Sequence, residues 1–209
     1  MNRSQIAIEV FDKNADIYRE KFMNVDSYAD ALNLFCDTLN NEQAGILDVA
    51  CGPGNITGYL LQQHPGYQIL GTDLSQKMLA LAQAHNPSAR FQLLDAKAIT
   101  SLQQQFDGIV CGFCFPYLSK EEVMQFIADC ATCLPANGAL YISTMEDDHA
   151  NSGLERNSAG DEVYVYYYQS EFLVDALEQN SFTVIETFRQ DYIYNNKTIN
   201  DLILVARKS

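Results

Sequence analysis

The chain has 209 residues, 47% hydrophobic and 19% charged, which excludes collagen-like, coiled-coil and largely disordered chains. One domain over residues 1–209 is the default at this length, and its core needs no disulfide or metal to fold. Asp and Glu total 27 against 13 Lys and Arg, a net charge of −14, which disfavours nucleic acid and anionic membranes as partners. Met1-Asn2-Arg3-Ser4-Gln5 lacks the apolar centre of a signal peptide, and no apolar run reaches the roughly 18–20 residues of a membrane span. Six cysteines without an export signal read as reduced thiols. These features lead us to expect a cytoplasmic protein, of open oligomeric state.

Residues 4–22 carry Ile8, Phe11, Ala15, Tyr18 and Phe22 at helical spacing, with Ser4 as N-cap. Residues 27–40 repeat the pattern with Tyr28, Ala31, Leu32, Phe35 and Leu39. Residues 1–40 thus form a helical lid before a core over 41–209. Strand 46–50 precedes a Gly-rich turn and a helix over 55–63. A strand over 67–73, a helix over 75–85 and a strand over 90–94 follow. The alternation continues with strand 106–111, helix 120–134 and strand 139–144. Such a rhythm implies a parallel sheet covered by helices on both faces. Residues 146–161 are polar and acidic and read as a long loop. A strand over 163–168, a helix over 170–179 and strands over 182–192 and 201–206 complete the chain. The last two strands, joined through Asn195-Asn196-Lys197, read as an antiparallel hairpin.

Cys111-Gly-Phe-Cys114 and Cys130-Ala-Thr-Cys133 have the spacing of a four-thiolate zinc site. Their surroundings point elsewhere. Cys111 ends an apolar run, and Cys130 and Cys133 share a helix face with Phe126 and Ile127. Core packing is the reading adopted, with no metal.

Ile46-Leu-Asp-Val-Ala-Cys-Gly-Pro-Gly-Asn55 is a strand, a tight turn and a helix start. Gly52 and Gly54 let a ligand lie against backbone at a helix N-terminus. Nineteen residues beyond Gly54, the second strand ends at Asp73, whose carboxylate can accept hydrogen bonds from a ribose diol. The dinucleotide pattern G-x-G-x-x-G is incomplete, because Thr57 stands at its third glycine. Asp48 would repel a pyrophosphate but attract an α-ammonium group. These charges favour an amino-acid nucleoside over NAD.

Asp48-Val-Ala-Cys-Gly-Pro-Gly54 resembles the first motif of class I S-adenosylmethionine-dependent methyltransferases, with Ala50 at the first glycine. The resemblance continues through Gly71-Thr-Asp-Leu-Ser-Gln-Lys-Met78, Phe91-Gln-Leu-Leu-Asp-Ala96 and Phe106-Asp-Gly-Ile-Val-Cys111. Phe11-Asp-Lys-Asn-Ala-Asp-Ile-Tyr18 is similar to the N-terminal helix of the small-molecule branch, which includes menaquinone/ubiquinone-methyltransferase-like enzymes. Residues 164–182 and 201–206 fit its closing elements. The implied fold is α/β: a Rossmann-like, doubly wound, mostly parallel seven-stranded sheet with an antiparallel C-terminal hairpin and N-terminal lid helices.

The resemblance also implies S-adenosyl-L-methionine as cofactor and a site for it. Asp73 would hold the ribose diol, with Leu74 and Ala96 flanking the adenine and Asp95 bonding its amino group. Ala50, Gly52 and Gly54 would line the methionine part, and Asp48 would balance its ammonium. Met78 and Cys111 complete the cofactor set, and Tyr18 would close over the methionine end. Two of these positions admit other roles: Asp95 as a turn residue and Tyr18 as lid packing.

In-line methyl transfer needs alignment and exclusion of water, so no catalytic residue is obligatory. If a hydroxyl is methylated, His149 and Tyr117 are candidate bases, although His149 also fits a solvated loop. Glu146-Asp147-Asp148 and Tyr164, Tyr166, Tyr167 and Tyr168 would suit a cationic or amine-bearing small molecule, or simply a solvated acidic loop beside a strand. A non-catalytic sensor of the same nucleoside is the alternative.

Overall fold

The computed structural model describes residues 3–156, 160–194 and 197–209. Two helices open the chain, α1 (Arg3–Lys13) and α2 (Ala15–Phe22). The spacing predicts one continuous helix here; the structure divides it at Asn14, whose φ of −104° and ψ of 17° leave the helical region, although Asn14 N still donates to Val10 O at 3.0 Å and Tyr18 N to Asn14 O at 2.9 Å. The expected Ser4 cap lies outside the described side chains. A 3-10 turn, Asp26–Tyr28, then leads into α3 (Ala29–Thr38), so the second expected helix starts with a tighter turn and ends sooner.

The core runs β1 (Gly45–Val49), α4 (Asn55–Gln63), β2 (Gln68–Asp73), α5 (Gln76–His85), β3 (Arg90–Leu93), β4 (Gly108–Gly112), α6 (Lys120–Cys133) and β5 (Ala139–Glu146). Local signals set the helix starts. Ser119 and Glu122 form a reciprocal capping box on α6, and the Ser75 hydroxyl accepts from Met78 N at the start of α5. The chain closes with β6 (Gly153–Arg156), β7 (Glu162–Val165), α7 (Ser170–Gln179), β8 (Phe182–Tyr194) and β9 (Lys197–Lys208).

The main sheet has seven strands in the order β3-β2-β1-β4-β5-β9-β8. The first five are parallel, and β9 and β8 are antiparallel, as the implied Rossmann-like fold requires. The turn between them, Asn195-Asn196, lies outside the described residues. Strand order reverses between β1 and β4, which opens a crevice at their carboxyl ends. One face of the sheet packs α6 and α7 through Phe126, Ile127, Leu173 and Leu177. The other packs α3 and α4 through Leu32, Phe35, Ile56 and Leu60. Cys111, Cys114, Cys130 and Cys133 all belong to the first of these cores.

Two expectations are corrected after residue 145. The acidic stretch is not a loop throughout: it holds a 3-10 turn, His149–Asn151, and β6. The expected strand over 163–168 is shorter and pairs with β6 in a separate two-stranded ribbon. Leu154 is 70% exposed, so β6 has no buried face to give an alternating pattern. Among the described residues no helix is long and apolar enough to cross a membrane.

Candidate functional site

The turn after β1 is held by backbone. Cys51 N donates to Thr72 O at 2.9 Å and Gly54 N to Cys51 O at 3.0 Å. Ala50, Gly52 and Gly54 all have left-handed backbone, with φ of 54°, 53° and 81°. At Ala50 this strains an L side chain by about 1–2 kcal/mol, which explains why glycine would sit more comfortably there. A Cβ on Gly54 would come within 2.5 Å of Asn86 Nδ2. That amide donates to the Gly54 carbonyl at 2.9 Å and so ties the end of α5 to the start of α4.

Asp73 ends β2 and braces the same turn. Its Oδ2 accepts from Gly52 N at 3.0 Å and its Oδ1 from Ser75 N at 2.8 Å. Burial raises its pKa against the pull of these bonds. Each oxygen keeps a lone pair for a ligand hydroxyl. Asp48 sits deeper on β1 and is 1% exposed. Its Oδ2 accepts from Thr57 Oγ1 at 2.6 Å, while Oδ1 has no hydrogen-bond partner. Burial pushes this carboxyl up to about 7, Thr57 opposes the rise and nearby Asp73 adds to it.

A cavity of ≈ 910 Å³, counted out to its open mouth, lies over these strand ends. The expected residues Tyr18, Ala50, Gly52 and Asp73 line it, as do Leu74, Met78, Asp95 and Ala96. Asp48 lines an adjoining smaller compartment together with Tyr28, Phe113 and Tyr141. Gly54 shapes the turn without lining either space. Cys111 is a correction: it is fully buried in the core against α6, and the next residues, Gly112 and Phe113, reach the cavity instead. Strand alternation turns one residue of β4 into the core and presents its neighbour to the other side.

Asp95 caps the turn that follows it, accepting from Lys97 N at 2.9 Å, so the turn role and the cavity position coexist. Lys97 is the sole cation lining the two spaces among the described residues, and it is held by Glu122 at 3.0 Å and Asp95 at 3.8 Å. Of the candidate bases, Tyr117 lines the cavity, edge-on to Phe11 at 5.0 Å. His149 does not: its Nδ1 donates to the Tyr167 carbonyl at 2.9 Å and its ring stacks on Tyr166. The acidic run is engaged locally too. Glu146 takes a bidentate Arg189, and Asp148 caps the 3-10 turn.

The cover is made from both ends of the chain. Ala7, Ile8 and Phe11 of α1 line the cavity, and the Ser75 hydroxyl bonds Asp12 at 2.8 Å. Asp161, just before β7, accepts from Lys13 at 2.7 Å and from Asn14 at 2.9 Å. Phe113, Leu94 and Ile8 are lining residues not anticipated from the sequence. Phe113 had a faint signal, as the residue directly after a strand at the switch point. Its φ of 53° was not foreseeable.

Residues 46–138 match the family model of a methyltransferase domain. An uncharacterized methyltransferase of Alkaliphilus oremlandii is 23% identical over 206 residues, covering 94% of this chain and 86% of the relative. A trans-aconitate 2-methyltransferase of Variovorax paradoxus is 35% identical over 101 residues, but these are 48% of this chain and only 38% of that enzyme. Magnesium protoporphyrin IX methyltransferase from Synechocystis, with S-adenosylmethionine bound, superposes with a TM-score of 0.74 at 17% identity, covering 100% of this chain and 98% of that one. That likeness concerns the fold.

Proposed function

We propose that this chain, which carries a methyltransferase domain with the Rossmann-like fold of S-adenosylmethionine-dependent methyltransferases, methylates a small-molecule nucleophile. The observation that carries the reading is Asp48: a buried carboxylate oxygen without a partner, in a compartment lined by no cation among the described residues. Leaving such a group unpaired costs several kcal/mol. An ammonium of the ligand would satisfy it.

The other donors fit the same cofactor. Asp73 would accept the ribose hydroxyls, Gly52 allows close approach of backbone, and Leu74, Met78 and Ala96 offer apolar walls for a base. When bound, the cofactor supplies an electrophilic methyl group on a sulfonium. The chain contributes alignment and a dry enclosure, with Phe11, Tyr18 and Phe113 shutting out water. The acceptor is neutral or cationic, because the single lining cation, Lys97, is already paired.

Isothermal calorimetry tests the reading. S-adenosylhomocysteine and S-adenosylmethionine are expected to bind at micromolar concentration and NAD not at all. No binding of either sulfur ligand at millimolar concentration overturns it.

A further inference from the structure

Tyr28 and Asp201 form a hydrogen-bonded pair beside the smaller compartment. Tyr28 Oη donates to Asp201 Oδ2 at 2.6 Å and so joins the 3-10 turn of the lid to β9. Asp201 is 1% exposed, and its Oδ1 has no hydrogen-bond partner. Tyr28 is half-buried and lines the compartment, its ring 5.5 Å from that of Phe113. Phe113 faces both spaces, which places Tyr28 next to their junction. Asp48 and Asp201 both act on the Tyr141 hydroxyl, whose pKa burial drives well above the usual range. Asp48 on the compartment wall and Asp201 behind Tyr28 are thus two buried carboxylates, each with one oxygen left without a hydrogen-bond partner, where one would serve the cofactor's ammonium.

We propose that Tyr28 is the proton acceptor for an amine substrate, with Asp201 as the residue that positions and recharges it. This rests on the methyl-transfer reading of the same crevice. Two carboxylates and the aromatic faces of Tyr28 and Phe113 attract an ammonium, whereas a carboxylic acid would meet only repulsion. An ammonium has no lone pair and must lose a proton before it attacks. That proton passes to the Tyr28 oxygen as Tyr28 gives its own to Asp201 Oδ2, so the carboxylate becomes a neutral acid. The nitrogen lone pair then bonds to the methyl carbon while the carbon–sulfur electron pair stays on sulfur as a thioether. The methylated nitrogen leaves as an ammonium, and Asp201 returns its proton to solvent. Burial pushes Asp201 up to about 6, with the Tyr28 bond opposing the rise. It is thus ionised at neutral pH and more basic than a surface carboxylate.

The test uses the full chain as wild type, Tyr28→Phe, Asp201→Asn, Asp201→Glu and the double variant Tyr28→Phe/Asp201→Asn. Calorimetry measures S-adenosylhomocysteine affinity. Tritiated-methyl transfer is measured to benzylamine, tyramine, histamine and putrescine, with catechol and trans-aconitate as oxygen acceptors. Wild type is expected to methylate an amine. Tyr28→Phe and Asp201→Asn each lower kcat about 100-fold, with KM and S-adenosylhomocysteine affinity within about threefold. The double variant falls no further, as expected for one relay, and Asp201→Glu recovers part of the loss. Should Asp201→Asn fail to fold, Tyr28→Phe alone decides. The proposal is overturned if Tyr28→Phe keeps wild-type kcat, or if wild type binds S-adenosylhomocysteine yet methylates no amine or prefers an oxygen acceptor. Loss of S-adenosylhomocysteine binding by wild type defeats the methyl-transfer reading itself.

Discussion

The turn after β1 and the cover above it enclose one crevice, yet they are built by different means. The turn is a local object: within some forty residues, Gly52, Gly54, Asp73 and Asn86 lock one another through backbone and short side-chain bonds. The cover joins parts that lie far apart in the chain. Asp161 meets Lys13 and Asn14, and Asp201 meets Tyr28. A cradle that must meet a ligand within a fraction of an ångström is over-determined, while a cover that must open is held by few bonds.

Four experiments probe this contrast. Asp73→Ala removes a ligand acceptor and the brace on Gly52 together, and S-adenosylhomocysteine affinity should fall at least about 100-fold by calorimetry. Unchanged affinity would take Asp73 out of the site. Gly54→Ala forces a side chain into a left-handed position and against Asn86. Thermal unfolding should show a loss of about 2 kcal/mol, or ~4–8 °C. A wild-type melting temperature would mean that the cradle yields.

Asp48 gives the third test. Its carboxyl titrates near 7 in the ligand-free protein, and only the ionised form attracts an ammonium. S-adenosylhomocysteine affinity should therefore be constant from that pH up to the deprotonation of the ligand's own ammonium, and drop up to about tenfold per unit below it. Asp48→Asn should bind weakly with a flat profile over the same range; a variant that keeps the wild-type slope assigns the proton elsewhere. The smallest effect belongs to the cover. Asp161→Ala loses an ion pair whose Lys13 end is 65% exposed, worth about 0.5 kcal/mol. Ligand dissociation, followed by stopped flow, should quicken a few-fold with little change in melting temperature. A large stability loss would show that the cover is part of the core.

Legibility in the sequence divides along the same line. The glycine turn, the aspartate at the end of β2 and the βα rhythm could be read directly, because each is enforced by neighbours close in the chain. So could the antiparallel closing strands, marked by the Asn195-Asn196-Lys197 turn signal between two strand-like runs. The break at Asn14 is hidden from the sequence because the apolar spacing continues through it. The β6 strand is hidden from the sequence because its side chains face solvent, whereas β7 is legible from its buried Val163 and Val165. Cys111 reads as a lining residue from its place at the end of β4, but its side chain turns into the core, and Phe113, two residues on and past the strand, reaches the cavity through a left-handed backbone that no local pattern announces. Asp201 gave no signal at all, since nothing in 201–206 reveals that a tyrosine 173 positions earlier will meet it.

The distance in sequence between the halves of the cover also bears on how the protein folds and breathes. Contacts such as Lys13–Asp161, 148 residues apart, close long loops and return few bonds, so they form after the central sheet and are the first to part. The α1 helix and the β6–β7 ribbon then constitute a separate, weaker cooperative unit. Their amide hydrogens should exchange through a sub-global opening that leaves β1, β4 and β5 protected.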